Sequence, residues 1–312
     1  MSKVSVIGAG NVGATAVYYI AEKNIKEIVM IDVVEGLPQS KAIDFLHAAP
    51  SRGYNANIIG TNDYADIADS DVVVLTAGIP RKPGMDRMDL LKTNVGIAKT
   101  AAQAIATYAP NAVVVVVSNP LDVISMVALR ESGFALKRVV GMAGILDSTR
   151  FRYFIAEKLN VLPSDVQAMV LGGHGDTMVP LPRYTSVAGF PLTELMPAAE
   201  IEQLVNRTRN GGAEIVNYLK KGSAYYAPGA SAAKMVEAIV HDEKRLCAAS
   251  AYLRGEYGHS DIFLGVPVLL GRNGVEKILQ LDLLPEEQTA LDASAEAVRE
   301  GVRNLETFYT PG

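Results

Sequence analysis

The chain has 312 residues, of which 49% are apolar and 20% are charged, and its net charge is −5. This composition is ordinary for a globular protein, and the length suffices for two domains with buried cores. The acidic balance argues against non-specific nucleic-acid binding, which needs clustered Lys and Arg, and no apolar run approaches the ~20 residues that cross a bilayer.

Two further features bear on location. Cys247 is the only cysteine, which excludes an internal disulfide and a cysteine-based metal site. The first strand is expected to begin at about residue 3, which leaves no room for a signal or transit peptide before it. A reducing, cytoplasmic setting is therefore the expectation.

The first predicted unit is a strand, a glycine-rich turn, a helix and a second strand over residues 4–32. Gly8 allows the turn, Gly10 lets a pyrophosphate approach the backbone, and Gly13 lets helix and strand pack closely. The helix N-terminus offers unpaired N–H groups to the phosphates. Asp32, at the end of the second strand, suits a ribose 2′-OH and repels a 2′-phosphate. The unit predicts NAD, not NADP, as the cofactor.

Strand and helix patterns alternate up to residue 144. The predicted strands end at Ile7, Ile31, Ile59, Leu75, Val117 and Met142. Such alternation predicts an α/β fold, a Rossmann-type doubly wound parallel sheet covered on both faces. We assign residues 1–144 to an NAD-binding domain and residues 145–312 to an α+β substrate-binding and catalytic domain.

Ligands of open parallel sheets bind beyond the carboxyl ends of the strands. Residues 76–87, which follow one buried strand, are rich in Gly and Pro and carry Arg81, Lys82 and Arg87. Beside an anionic cofactor, a basic loop of this kind predicts a lid that closes over the substrate. We call residues 76–87 the lid segment. Asn119 follows the next buried strand.

The second half has a mixed pattern. A helix over residues 145–154 places Asp147 and Arg150 one turn apart on the same face. A β-run over residues 166–171 then leads to His174. Later segments predict helices around 201–219, from 231 and over 291–305, with strands at 248–253 and 262–270.

His174 is the candidate general acid and base. Of the four histidines, only His174 lies between two glycines, Gly173 and Gly175, after an apolar strand. Asp147 offers a carboxylate that binds one ring nitrogen and raises the imidazole pKa. A nicotinamide cofactor and an acid/base His together suit hydride transfer coupled to proton transfer between an alcohol and a ketone. Arg150 suits a substrate carboxylate, and Arg87 suits the charge that develops on the carbonyl oxygen.

The chain resembles the lactate/malate dehydrogenase superfamily, and within it the malate dehydrogenases of the lactate-dehydrogenase-like group. The motifs that carry the resemblance lie in the family's order at residues 8–13, 32, 76–85, 118–122, 144–150 and 172–176. The resemblance implies that His174 is the proton donor and acceptor, paired with Asp147. It implies that Arg150 binds the substrate carboxylate, that Arg87 polarises the carbonyl, and that Asn119 contacts substrate and nicotinamide, followed by a Pro120 that is often cis.

The resemblance also sets the wider expectations. The expected cofactor-binding residues are Gly8, Gly10, Asn11, Val12, Gly13, Asp32, Thr76, Ala77, Gly78, Asn94, Val117 and Asn119. No metal, nucleic acid or membrane is expected, and homodimers or homotetramers are usual in the family. The reaction it implies belongs to the tricarboxylic acid cycle.

Arg81 decides between two substrates. Members selective for pyruvate carry Gln at this position, whereas those selective for oxaloacetate carry Arg, which pairs with a second carboxylate. Arg81 therefore favours malate and oxaloacetate over lactate and pyruvate. Asp86, directly before Arg87, departs from the commonest form of the lid motif.

Two alternatives belong to other classes. A non-catalytic NAD-sensing protein would keep the fold and bind NADH without turnover, but the joint presence of His174, Asp147, Arg150 and Arg87 argues against it. An NAD-dependent glycosidase would need a Cys or His metal constellation, which the sequence pattern does not contain.

Overall fold

The computed structural model describes residues 2–79 and 87–311. Its helices are α1 (Asn11–Ala21), α2 (Leu37–Arg52), α3 (Arg87–Tyr108), α4 (Leu121–Ser132), α5 (Gly144–Leu159), α6 (Leu192–Leu195), α7 (Ala198–Leu219), α8 (Tyr226–Val240) and α9 (Pro285–Glu306). Its strands are β1 (Lys3–Ile7), β2 (Glu27–Ile31), β3 (Asn57–Thr61), β4 (Val72–Leu75), β5 (Val113–Val116), β6 (Val139–Gly141), β7 (Val166–Gln167), β8 (Val170–Leu171), β9 (Val179–Pro180), β10 (Ser186–Val187), β11 (Phe190–Pro191), β12 (Arg245–Arg254), β13 (Ser260–Gly271) and β14 (Gly274–Ile278).

Within the described ranges, nine strands form one sheet in the order β14-β13-β12-β6-β5-β4-β1-β2-β3. The six strands from β3 to β6 are parallel, because each is followed by a crossover that returns the chain to the same end of the sheet. This strand order is that of a dinucleotide-binding sheet, so the predicted Rossmann-type α/β class is confirmed.

Side chains on alternate positions of the parallel strands pack on opposite faces of the sheet. On β4, Val72 and Val74 join the core formed with α1 and α8, whereas Val73 and Leu75 join the core formed with α3 and α4. Burial on both faces explains why β4 and β5 lack polar alternation. A third core, centred on Phe151 and Ile155 of α5, lies within the second half.

The second half joins the same sheet. Strand β12 is antiparallel to β6 through the pair Ser250 and Gly141, and β13 and β14 continue outward from it. A Cβ on Gly141 would lie 2.8 Å from the Ser250 Cβ, so glycine permits this close pairing. The sequence pattern predicted two strands here without predicting that they extend the first sheet.

The predicted β-run over residues 166–171 is wrong as a single strand. The structure has two short strands, because β7 pairs with β10 and β8 pairs with β9 in separate small sheets. The other predicted strands and helices form, with shifted ends; β3, for example, continues past Ile59 to Thr61. No helix in the described ranges has the length and apolar content that a membrane span requires.

Candidate active site

The glycine-rich turn joins β1 to α1 and is shaped by two steric constraints. Gly8 has a φ of +107°, and a Cβ there would lie 2.7 Å from the Thr76 Oγ1. A Cβ on Gly13 would lie 1.8 Å from the carbonyl oxygen of Gly8. Both positions therefore require glycine if the helix is to start directly against the strand.

Gly10 is different, because it faces open space. Among the described residues, none has an atom within 4 Å of a Cβ built on Gly10, and none caps the N-terminus of α1 with its side chain. The first turn, which begins with Asn11 and Val12, contains no acidic residue. The unpaired N–H groups thus face a clear approach that suits an anionic pyrophosphate, and the predicted cofactor fits this turn.

Asp32 lies at the end of β2 and is tied to the turn. Its Oδ2 accepts a hydrogen bond from the Ala9 N–H at 2.7 Å, and its Oδ1 accepts one from the Val34 N–H at 3.0 Å. Lys41 of α2, which the sequence reasoning missed, donates from Nζ to the Ala9 carbonyl at 2.6 Å. The Ala9 peptide is therefore oriented by an anion on one side and a cation on the other.

The loops after β4 and β5 are joined to the turn and to each other. The Thr76 hydroxyl donates to the Gly8 carbonyl at 3.1 Å, and the Ser118 hydroxyl donates to the Ala77 carbonyl at 2.6 Å. Val117 continues from β5, and its N–H donates to the Leu75 carbonyl at 2.9 Å. The carboxyl ends of these parallel strands thus form one continuous edge, as predicted.

Asn94 of α3 connects the two loops. Its Oδ1 accepts from the Ile79 N–H at 2.8 Å, next to Gly78, and its Nδ2 donates to the Asn119 carbonyl at 2.9 Å. Asn94 is buried, and these contacts place it as a support for the loops that hold the other predicted cofactor residues. The Asn119–Pro120 peptide bond is cis, as the resemblance implied, and it leads directly into α4.

The structure brings His174, Asp147 and Arg150 together. The His174 Nδ1 lies 2.8 Å from the Asp147 Oδ2, and the Arg150 Nη1 donates to the Asp147 Oδ1 at 3.0 Å. Asp147 is buried, whereas the side chains of His174 and Arg150 keep exposed fractions of 16% and 15%. With Nδ1 engaged by the carboxylate, Nε2 is the ring nitrogen that can exchange a proton with a ligand.

The surroundings tune the imidazole. Burial lowers the pKa of His174, but the Asp147 carboxylate and its hydrogen bond raise the pKa more, so the net shift is upward. The Arg150 guanidinium opposes this rise, and the Asp122 carboxylate adds to it. A raised pKa favours an imidazole that gains and loses a proton near neutral pH.

Distant elements hold the main chain around His174. Gly172, with a φ of +86°, pairs with Gly265 of β13, and the Gly173 N–H donates to the Ser294 Oγ of α9 at 2.8 Å. The His174 N–H donates to the Asp122 Oδ2 of α4 at 3.2 Å. Neither Asp122 nor Ser294 was assigned a role from the sequence. Asp122 closes the motif at residues 118–122, which was a signal for it, whereas Ser294 was marked only as a polar residue within an amphipathic helix.

Two glycines inside α7 leave room for Arg150. A Cβ on Gly211 would lie 3.3 Å from the Arg150 Cδ, and one on Gly212 would lie 3.8 Å from its Nη2. Glycine destabilises a helix interior by about 1 kcal/mol relative to alanine. Adjacent glycines in a helical pattern were the signal that sequence reasoning left unused.

Some predicted residues fall elsewhere. Arg81, Asp86 and most of the lid segment lie outside the described residues, as does the side chain of Arg87, whose backbone begins α3.

Within residues 2–79 and 87–311, no group of three or more His, Cys, Asp and Glu side chains is arranged to hold a metal ion. Two of the other three histidines have partners away from this cluster: His241 contacts the Lys23 carbonyl, and His259 lies 3.0 Å from Asp292.

Comparison with known proteins places this site in context. Residues 2–141 match the family described as lactate/malate dehydrogenase, NAD binding domain, and residues 145–309 match the lactate/malate dehydrogenase, alpha/beta C-terminal domain. The chain is 56% identical over 306 residues to the malate dehydrogenase of Methanosarcina barkeri, which covers 98% of this chain and 100% of that relative.

Two solved structures have nearly the same fold. The malate dehydrogenase from Picrophilus torridus in its apo form has a TM-score of 0.95 and 46% identity, with 98% of each chain covered. The lactate dehydrogenase from Cryptosporidium parvum, complexed with lactic acid and nicotinamide adenine dinucleotide, has a TM-score of 0.95 and 43% identity, with 99% of each chain covered. This chain therefore belongs to the lactate/malate dehydrogenase family.

Proposed function

We propose that this chain is an NAD-dependent malate dehydrogenase, which interconverts malate and NAD with oxaloacetate and NADH. The observation that carries the proposal is the cluster of His174, Asp147 and Arg150, which combines a proton donor and acceptor with a carboxylate-binding guanidinium. The relatives named malate dehydrogenase, at 53–56% identity, support this reading.

The cofactor is held by the edge of the parallel sheet. Gly10 and the first turn of α1 would receive the pyrophosphate, and Asp32 would receive the ribose hydroxyls. Gly8 and Gly13 shape the turn. The loops after β4 and β5 would hold the rest of the cofactor through Thr76, Ala77, Gly78, Asn94, Val117 and Asn119. When bound, NAD supplies the hydride acceptor and NADH supplies the hydride donor.

His174 moves the proton. In malate oxidation the Nε2 atom takes the hydroxyl proton, and in oxaloacetate reduction the imidazolium returns it to the carbonyl oxygen. Asp147 fixes the ring and its tautomer through Nδ1 and stabilises the imidazolium. The same carboxylate orients Arg150, whose remaining N–H groups bind the substrate carboxylate next to the reacting carbon.

The lid segment completes substrate recognition. We assign the second substrate carboxylate to Arg81, the carbonyl oxygen to Arg87, and a further hydrogen bond to Asn119. A guanidinium that faced the methyl group of pyruvate in a desolvated site would have no anionic partner, which disfavours that substrate.

Lactate dehydrogenase is the second candidate, because solved structures of lactate dehydrogenases match this chain as well as malate dehydrogenases do. NADH oxidation followed optically, with oxaloacetate and pyruvate compared, separates the two. We expect strong preference for oxaloacetate, and little activity with NADPH. Arg81→Gln is the matched variant: a shift of preference towards pyruvate supports the assignment, whereas equal loss with both substrates contradicts it.

The finer context is also part of the proposal. The end of β6 at Gly141 and the start of α5 at Gly144 support a domain boundary close to the proposed one after residue 144. Apolar side chains exposed on α2, Ile43 at 54% and Leu46 at 39%, support a homodimer or homotetramer. The acidic composition argues against a nucleic-acid partner, and the single cysteine suits a reducing, cytoplasmic setting. We assign the enzyme to a small dicarboxylate substrate of the tricarboxylic acid cycle, on the assignment of Arg81 and Arg150 above.

A further inference from the structure

We propose that Asp122 is a positioning residue: it holds the main chain of His174 against the first turn of α4, and so fixes the imidazole relative to Asn119. The proposal rests on the function assigned to His174 above. It adds a residue from the NAD-binding half to the proton-transfer site.

The contacts of Asp122 lie outside its own helix. Its Oδ2 accepts from the His174 N–H at 3.2 Å, and its Oδ1 accepts from the Ser250 hydroxyl at 2.6 Å. These partners are 52 and 128 residues away in the chain. An acidic residue in the first turn of a helix is usually explained by the helix dipole, but here both carboxylate oxygens are directed at other elements.

Asp122 lies close in the chain to Asn119, so its contact with His174 links two predicted site residues. Asn119 and Pro120 precede α4 directly, and Asp122 is the second residue of that helix. A shift of α4 would therefore move Asn119 and the hydrogen-bond acceptor of His174 together. The carboxylate couples the predicted substrate-binding asparagine to the predicted proton donor across the boundary between the two halves.

Asp122 is buried, with an exposed fraction of 7%. Burial raises the pKa of this carboxyl, and the hydrogen bonds from Ser250 and His174 offset that rise only in part. Burying a carboxyl is unfavourable unless its oxygens are paired. The paired arrangement points to a role that an apolar side chain would not perform.

The charged groups that face His174 are few among the described residues. Asp147 and Arg150 approach from α5 and Asp122 from α4, whereas α9 and β12 contribute the neutral hydroxyls of Ser294 and Ser250. Removing the Asp122 charge therefore removes one of two nearby carboxylates that stabilise the imidazolium.

The test compares Asp122→Ala with Asp122→Asn, because the amide oxygen of Asn can still accept from the His174 N–H. We expect Asp122→Ala to lower kcat for oxaloacetate reduction by roughly 10- to 100-fold, with the NADH dissociation constant unchanged, and Asp122→Asn to restore most of kcat. Ser125→Ala is the control, since it removes a buried hydroxyl that donates to the Leu121 carbonyl on the same helix.

A readout that does not need turnover is the titration of His174. With only four histidines, ¹⁵N-histidine labelling gives a simple spectrum in which His174→Asn identifies the signal. We expect the imidazole pKa to fall in both Asp122 variants and to stay unchanged in Ser125→Ala. A purely structural role would lower the unfolding temperature without moving this titration.

Unchanged kcat and unchanged titration in a folded Asp122→Ala protein would overturn the proposal, and so would an equal loss of NADH affinity and kcat. If Asp122→Ala does not fold, Ser250→Ala replaces it, and behaviour identical to Ser125→Ala then counts against the proposal. Absence of wild-type turnover with oxaloacetate and pyruvate would reject the proposed function instead, while the titration would still test Asp122.

Discussion

The glycine-rich turn and the segment around His174 are both fixed main-chain structures, but they are built differently. The turn is held mainly by its own motif and by neighbouring strand ends, such as the contact of Ala9 with Asp32, 23 residues away. The segment around His174 is held by α4, α5, α9 and β13, and its contact between Gly173 and Ser294 spans 121 residues. The glycine-rich turn thus depends mostly on contacts within residues 4–32, with Thr76 as a contact from a neighbouring strand end. The segment around His174 depends on the completed fold.

The largest effect should come from His174→Asn. We expect turnover of oxaloacetate to fall by about 10²- to 10⁴-fold, the range that general acid–base catalysis contributes. NADH affinity, measured by fluorescence titration, should not change, because the glycine-rich turn does not depend on the imidazole. His241→Asn, which changes a histidine whose ring Nε2 contacts the Lys23 carbonyl, is the matched control. Retained activity in His174→Asn would show that another group supplies the proton.

The next largest effect is expected for Asp147→Asn, with a loss of about 100-fold in turnover because the imidazolium loses its stabilising charge. The pH dependence of the rate shows the direction in which the imidazole pKa changes. With His174 as the proposed proton donor, we expect the rate of oxaloacetate reduction to fall as pH rises through the apparent pKa of the imidazole. Asp147 raises that pKa, and its removal should move the fall to lower pH while malate oxidation gains at lower pH. An unmoved profile in both directions would mean that the imidazole is not the titrating group.

The turn itself is tested by Gly13→Ala against Gly10→Ala. A Cβ on Gly13 meets the Gly8 carbonyl at 1.8 Å, so we expect a loss of about 1–3 kcal/mol in the free energy of unfolding, together with weaker NADH binding. Gly10→Ala meets open space and should change stability by less than about 1 kcal/mol. Its NADH dissociation constant should still rise, because the Cβ occupies the approach of the pyrophosphate. Thermal unfolding with and without NADH measures both the stability and the NADH affinity of each variant. If Gly10→Ala binds NADH as tightly as the wild type, the pyrophosphate does not bind at Gly10.

The smallest effect is expected for Gly211→Ala. Alanine should stabilise α7 by up to about 1 kcal/mol, but its Cβ would press on Arg150 at 3.3 Å. We therefore expect a raised KM for oxaloacetate and a higher unfolding temperature in the same variant. Gly212→Ala is the control, since its Cβ would make an ordinary 3.8 Å contact with Arg150. Equal kinetics in the two variants would mean that the glycines serve only helix packing.

These differences explain how much the sequence predicted. Gly8, Gly10, Gly13 and Asp32 were predictable because the motif, its flanking strands and its function are contiguous. The pairing of Asp147 with Arg150 followed from helical spacing, and the approach of Asp147 to His174 followed from chemistry rather than from pattern. The structure contains the contact of Asp32 with the turn and the contacts of Asp147 with Arg150 and His174. The predicted contacts with ligands are the part that these protein contacts do not test.

Residues that act through the completed fold were not predictable in the same way. Asp122, Ser250 and Ser294 meet only after α4, β12 and α9 have packed around the end of β8. Ser250 stands in an apolar strand, and a polar side chain there was a weak signal of a buried partner. The predicted strand over 166–171 was wrong for a related reason, because strand partners, not local propensity, decide where each short strand ends.

The pairing of Ser250 with Gly141 has one more consequence. Through this pair, strands of the second half continue the hydrogen-bonded sheet of the first half. Within the described residues, the two halves are therefore joined by backbone pairing as well as by the chain itself. Enzymes whose halves are linked only by hinges can open and shut around their ligands as rigid bodies. In this molecule such a rotation would have to break backbone pairing in the middle of a sheet. Exclusion of water during the reaction would therefore have to be achieved without a rotation of one half against the other.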